Sequence, residues 1–335
     1  MEIGASAKHF DLALPLAMPA AYESYYSCST LSMSNSYYIY RMTTAMGEHE
    51  MAEEAADEDR FIGYEVQTDI AWIQLRRPEV GNAQNFRLLD QLDDAFRAAV
   101  EDDGVKVIVL GGEGKHFSSG HDLGTAGRDR DRPRQRQHLW YNHLEKPGAE
   151  SQYVLEQDAF LGFCRRWQAI PKPTIAMVQG ACIGGGLMLA WVCDLIIAST
   201  DAFFQDPTVL MGFPGVEYFA HAFELPPRIA REFLLLGERM SAERAHHFGM
   251  VNRIVPRDVL REEVAKIAAR IAERPRFGLA LSKQAINLVE ELRGKRTAMD
   301  GVFHIHHLAH AQSQLTFGDR AGGVDAKTMA KANKS

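Results

Sequence analysis

Residues 172–217, KPTIAMVQGACIGGGLMLAWVCDLIIASTDAFFQDPTVLMGFPGVE, decide how the chain is read. Thr174 to Val178 is a short apolar, partly β-branched run between Pro173 and Gly180, which predicts a buried strand. Leu187 to Val192 is apolar without a break, as in a helix buried on all sides. Between them stand Gly184, Gly185 and Gly186. Glycines directly before a helix permit φ > 0 and close approach of a ligand, and the first-turn N–H groups have no partner inside the helix. The same glycines would also serve close packing of helix on sheet, and three glycines alone do not separate the two readings. A second turn adds weight to the ligand reading. Gly112 to Asp122, GEGKHFSSGHD, follows the apolar run Val105 to Leu110 and carries Gly120 into a polar turn. Two glycine turns after two strands of one sheet can each supply one N–H to a common ligand.

Upstream, Ile62 to Arg76 suits two strands joined near Thr68 and Asp69, with Ala71, Ile73 and Leu75 on one face of the second. Leu88, Leu89, Leu92, Phe96 and Val100 fall at helical spacing before the strand Val105 to Leu110. This alternation predicts an α/β fold with a parallel sheet. A helix is expected over about Tyr153 to Ile170. Downstream, helices are expected over Arg228 to Gly237, Ser241 to Phe248 with Ser241 as N-cap, a segment marked by Leu260, Val264, Ile267 and Ile271, Phe277 to Leu292, and about Met299 to Leu315. The C-terminal third thus reads as helical.

A chain of 335 residues with 46% hydrophobic residues and a net charge of −7 can bury one large or two modest domains and is not disordered throughout. A pI near 6.0 argues against nucleic acid as the main partner. No apolar run is long enough to span a bilayer, so no membrane partner is expected. Cys28, Cys164, Cys182 and Cys193 show no CxxC pairing and read as reduced thiols, with a cytoplasmic location expected. Residues 1–60 have no sustained period, a Ser/Tyr-rich part preceding an acidic part, and read as a poorly ordered extension in which Met42, Met46 and Met51 stand as alternative starts. The apolar piece Leu12 to Ala21 is interrupted by Pro15 and Pro19, against a secretory signal. The arginine-rich segment Arg128 to Ser151 reads as a solvated loop, with Arg134 and Arg136 the candidates for any phosphate contact. His304, His306, His307 and His310 stand at spacings that let a pair share a metal on one helix face. No carboxylate or cysteine is patterned with them, so they read as surface or interface histidines and no metal is expected.

From about Ile62 to about Gln314 the motifs RRPEVGNAQN, GKHFSSGHDL, PKPTIAMVQGACIGGGLMLAWVCDLIIAS, DPTVLMGFPG and SAERAHHFGMVNRIVP occur in order. In this the chain resembles the enoyl-CoA hydratase/isomerase, or crotonase, family. The resemblance implies a ββα spiral core over residues 61–255 with the acyl-CoA site, a helical trimerisation region over 256–316, and a tail over 317–335. It also implies an acyl-CoA thioester as substrate, coenzyme A entering only as part of it and no permanently bound cofactor, and a homotrimer or dimer of trimers. The thioester oxygen would lie between the backbone amides of His121 and Gly185. Ser119, Gly120, Asp122, Leu123, Gly184, Met188 and Thr208 would line the substrate and CoA site.

The chain departs from the family pattern at the acids. A hydratase of this family places one glutamate two residues after the three glycines, where this chain has Met188, and another after the proline of DPTVL, where it has Thr208. Neither side chain can take a proton from water at neutral pH. Asp206 and Glu217 remain. Asp206 precedes Pro207 and also fits a turn-stabilising role. Glu217 follows Pro214-Gly215 among Val216, Tyr218 and Phe219, an apolar setting that predicts a raised pKa and an acid/base role, with a helix N-terminal role as the alternative. His121 stands where the family has a small residue. The expected activity is that of an enzyme stabilising a thioester enolate, with 3-enoyl to 2-enoyl isomerisation ahead of hydration. A CoA-thioester hydrolase and a catalytically silent acyl-CoA-binding protein are the alternatives.

Overall fold

The computed structural model describes residues 60–123, 129–130, 132–134 and 141–319. The extension expected over residues 1–60 (apart from Arg60), residues 320–335 of the expected tail, and Arg136 lie outside the described residues.

Strands β1 (Ile62–Gln67) and β2 (Ile70–Leu75) form the expected hairpin, with Thr68 at φ 58 in its turn. Helix α1 (Phe86–Glu101) follows. Its start is doubly capped: Asn85 Oδ1 accepts from Leu88 N at 2.9 Å, and the Asp129 carboxylate accepts from Phe86 N and Arg87 N at 2.9 and 2.7 Å. Strand β3 (Val107–Gly112) leads to helix α2 (Gly148–Glu156), which runs through a π-helical turn at Gln157–Gly162 into α3 (Phe163–Gln168). Next come β4 (Thr174–Val178), β5 (Ala181–Ile183), α4 (Gly185–Trp191), β6 (Leu195–Ser199) and β7 (Phe203–Gln205). The chain continues through α5 (His221–Glu224), α6 (Pro227–Leu236), β8 (Met240–Ser241), α7 (Ala242–His247), β9 (Arg253–Val255), α8 (Leu260–Ala272), α9 (Arg276–Leu292) and α10 (Lys295–Phe317). Ser241 Oγ caps α7, accepting from Arg244 N at 3.2 Å.

The main sheet has the order β1-β2-β3-β4-β6-β9, antiparallel only at β1–β2 and parallel thereafter. Both faces are covered, as a parallel sheet requires. Ala71, Ile73 and Leu75 face the larger core with Leu88, Leu92 and Phe96 of α1. Ile70 and Trp72, one residue out of phase, face a second core with Val107, Val109 and Ile175. Helix α8 closes that second face with Val264, Ile267 and Ala268, so the burial of the sheet extends beyond residue 255. A smaller sheet, β5-β7-β8, is made of strands too short to stand out in the sequence.

Helix α10 packs Met299 and Phe303 into the larger core, while its opposite side and helix α9 carry exposed apolar residues. Phe277, Leu292 and Leu315 are 74%, 79% and 84% exposed. Among the described residues, no helix is long and apolar enough to cross a membrane.

One titration follows from this packing. Glu224 on α5 lies 3.9 Å from Lys295 Nζ, which makes its shorter contact, 2.7 Å, with Glu290. Burial is the largest influence and, with Glu290, outweighs Lys295, lifting the Glu224 pKa from 4.5 to about 7. A carboxyl with a raised folded pKa favours the folded state fully below the unfolded value and loses that contribution as pH rises through the folded one. Thermal unfolding of Glu224→Gln is therefore expected to match the native protein near pH 4.5 and to give a higher Tm at pH 8. A difference in Tm that does not change with pH would contradict this.

Candidate active site

The two glycine turns are joined by backbone. Ser118 N donates to Ala181 O and Ile183 N donates to Ser118 O, both at 3.0 Å. Side chains at two glycines would push the turns apart: a Cβ on Gly120, at φ +94, would lie 2.7 Å from Ile183 O, and one on Gly186 would lie 2.7 Å from Ser118 O. The Gly120 carbon therefore sits against the amide of Gly185. Gln84 clamps the first turn from the side, accepting from Asp122 N at 2.9 Å and donating through Nε2 to Ser118 Oγ at 2.9 Å. Among the described residues, neither His121 N nor Gly185 N donates a hydrogen bond to protein.

The His121 ring covers Gly185: a Cβ there would meet its Cε1 and Nδ1 at 2.8 Å. The ring stacks on Phe160, delivered by the π-helical turn, with centroids 4.0 Å apart. Its Nε2 lies 3.0 Å from Glu217 Oε2. The structure thus places Glu217 beside the turns, through a histidine 96 residues earlier in the chain.

The surroundings of Glu217 differ from the expectation. Its apolar sequence neighbours predict a raised pKa, and desolvation, the largest single influence, does push upward. His121 and His306 together reverse it, so the carboxyl is held well below the usual carboxylate range. His306 Nε2 lies 3.4 Å from Glu217 Oε1, and His306 Nδ1 donates to Gly215 O at 2.8 Å.

Of the C-terminal histidines read as surface or interface groups with no patterned carboxylate, His304 is exposed, while the other three are enclosed and do meet a carboxylate. His306 and His307 are buried, and His310 is largely so. His306 Nε2 lies 3.1 Å from His310 Nε2, and Glu156 Oε2 lies 3.4 Å from His310 Nε2 and 3.3 Å from His307 Nε2. Burial, the largest influence, lowers the His307 pKa to about 4. For Glu156, desolvation pushes upward but is outweighed by His310, leaving its pKa lowered. Glu156 is far away in sequence, so only the fold reveals the partnership.

Asp206 is fully buried and engaged on all sides. It accepts from Thr208 N and Val216 N at 3.1 Å each, and lies 2.8 Å from His221 Nε2. Desolvation raises its pKa, but the hydrogen bond and charge of His221 outweigh that and lower it. It clasps the loop that carries Glu217. Thr208 opens a 3-10 turn at Thr208–Met211 and lies against the Asp206 carboxylate. Met188 is buried in α4. Asp122 is buried against Arg77, 3.0 Å from its guanidinium. Ser119 is exposed and donates to Val80 O at 3.2 Å, while Leu123 and Gly184 are half-buried. Arg134 is turned inward, 2% exposed, paired with Asp90 at 2.6 Å and lying over Phe86 and Phe163. Its side chain is therefore not solvated, as the loop reading expects, nor open to a phosphate.

A parallel sheet covered on both faces, with two abutting glycine turns and a carboxylate beside them, has counterparts among known proteins. The profile of the enoyl-CoA hydratase/isomerase family matches residues 65–318. The chain belongs to that family, has the crotonase fold, and is an acyl-CoA-processing enzyme of the hydratase/isomerase type. The Mycobacterium tuberculosis protein EchA13, provisionally named an enoyl-CoA hydratase, is 41% identical over 272 residues, 79% of this chain and 84% of that one. A crystal structure of a provisionally named enoyl-CoA hydratase from Mycobacterium thermoresistibile is 45% identical with a TM-score of 0.71, covering 78% of this chain and 98% of that one. The 1,2-epoxyphenylacetyl-CoA isomerase of Escherichia coli is 31% identical over 238 residues, 69% of this chain and 83% of that one.

Proposed function

We propose that this enzyme moves a double bond within an acyl-CoA thioester, from the 3-enoyl to the 2-enoyl position, with Glu217 as the single proton carrier. The observation that carries the reading is the 3.0 Å contact between Glu217 Oε2 and the His121 ring that covers Gly185. That contact ties the carboxylate to the amides that receive the thioester oxygen.

In the first half of the reaction Glu217 takes the proton from the carbon between the thioester and the double bond. The electron pair moves onto the thioester oxygen, which accepts hydrogen bonds from His121 N and Gly185 N. Each such donor, fixed in advance, lowers the barrier by roughly 3 kcal/mol. In the second half Glu217 returns the proton at the far carbon of the conjugated enolate, and the electrons collapse into the 2-enoyl product. The His121 imidazole holds the carboxylate in place by donating from Nε2. Gly120, Leu123, Gly184 and Met188 line the substrate side, Ser119, Asp122 and Thr208 shape the turns, and Asp206 holds the loop. Hydration would need a second acid at the position of Met188 or Thr208. A relative named for an isomerase shares the scaffold, which supports the choice.

The exposed apolar sides of α9 and α10 support assembly as a homotrimer or dimer of trimers. The free cysteines Cys164, Cys182 and Cys193 support the cytoplasmic location. Light scattering at working concentration is expected to give a mass of three or six chains, and a sharp monomer mass would reject the assembly.

The reaction is tested by turnover of 3-enoyl-CoA and by deuterium wash-in at the carbon next to the thioester. Glu217→Gln is expected to lower both by about 100- to 10,000-fold while remaining folded. Asp206→Asn is expected to lose stability and to keep exchange in the folded fraction. Native-like exchange in Glu217→Gln together with its loss in Asp206→Asn would move the role to Asp206.

A further inference from the structure

The histidines of α10 and the last residue of α2 meet in a way the isomerase reading does not use. His306 and His310 are one helical turn apart, which brings both Nε2 atoms onto one face, 3.1 Å from each other. Glu156 Oε2 reaches the same place, 3.4 Å from His310 Nε2, and the three atoms all lie within 4.8 Å of one another. We propose that His306, His310 and Glu156 bind a divalent transition-metal ion of the zinc type, joining α2 to α10 one imidazole away from Glu217.

The spacing suits such an ion. Ligands about 2.05 Å from a tetrahedral metal stand about 3.3 Å apart, and two of the three edges here are 3.1 and 3.4 Å. Rotation of the Glu156 carboxyl closes the third. The donors are also oriented from outside. Gly215 O can only accept, so its 2.8 Å bond fixes the hydrogen of a neutral His306 on Nδ1 and leaves the lone pair on Nε2. Glu156 Oε1 accepts from Gln152 Nε2 at 2.8 Å, which aims the other oxygen at the histidines.

That other oxygen is the second, independent observation. Glu156 has 7% of its side chain exposed, and among the described residues Oε2 makes no contact at hydrogen-bond geometry, only the ion-pair contacts with His307 and His310. A buried carboxylate oxygen held only by long contacts, 3.3 and 3.4 Å, to imidazole nitrogens is under-satisfied, an arrangement that a cation relieves. Two imidazoles and one carboxylate are the donor set of open zinc sites and suit the borderline divalent ions. The set lacks the thiolates that favour copper(I), and it has more nitrogen than magnesium or calcium prefer. His307, with neither ring nitrogen hydrogen-bonded among the described residues and Nε2 3.3 Å from the same oxygen, offers a further donor at the edge.

The test titrates the chelator-treated full chain with Zn²⁺ against a chromophoric competing chelator at pH 7.5, with thermal unfolding in parallel. One tightly bound ion per chain and a raised Tm are expected. Glu156→Gln and His310→Ala are each expected to weaken binding at least about 100-fold. His304→Ala, on the exposed face of the same helix, is expected to leave it unchanged. Circular dichroism checks that the variants fold. X-ray absorption of the loaded native protein stands apart from any variant and is expected to show two imidazoles and an oxygen at about 2.0–2.1 Å. The proposal is overturned by an absence of stoichiometric binding to the native chain. It is equally overturned by binding that survives both ligand substitutions or that falls with His304→Ala.

Discussion

Two backbone hydrogen bonds, Ser118 N to Ala181 O and Ile183 N to Ser118 O, hold the strand-end turns of this protein together, and the rest of the site depends on them. They satisfy main-chain groups that would otherwise be buried unpaired, and they leave two amides, His121 N and Gly185 N, outside the exchange. The close approach requires glycine at 120 and 186 because a Cβ at either would strike the facing carbonyl. The His121 ring then lies over Gly185 and meets Glu217.

The sequence carries the frame of this arrangement plainly. The hairpin over Ile62 to Arg76, the amphipathic α1, the strand at Thr174 to Val178 and the helix after Gly184 all follow from period and punctuation. Strands of three residues or fewer, such as β5 and β8, carry too few positions for a period to register. The π-helical turn is hidden as well, because one extra residue per turn leaves composition unchanged, yet it sets Phe160 beneath His121.

The charges were the least legible part, for a physical reason. Local neighbours report desolvation, and around Glu217 they are apolar, which argues for a raised pKa. The opposing influence comes through space from His121 and His306, distant in sequence, and at about 3 Å it outweighs burial. The same blindness hid Glu156 from the histidines of α10. Asp206 shows the reverse case: its turn-stabilising role was readable from Pro207, and the structure adds Val216 N and His221 to what it holds.

Whether the reacting groups of a thioester lie between the two fixed amides and the Glu217 carboxylate is tested most directly by a structure with substrate bound. Glu217→Gln, folded and inactive, would be crystallised with a 3-enoyl-CoA that it cannot turn over. The thioester oxygen is expected within about 3 Å of both His121 N and Gly185 N, and the carbon next to the thioester about 3–3.5 Å from the residue 217 side chain. A thioester oxygen bound away from these amides, or a reacting carbon on the far side of the acyl chain from residue 217, would contradict this placement.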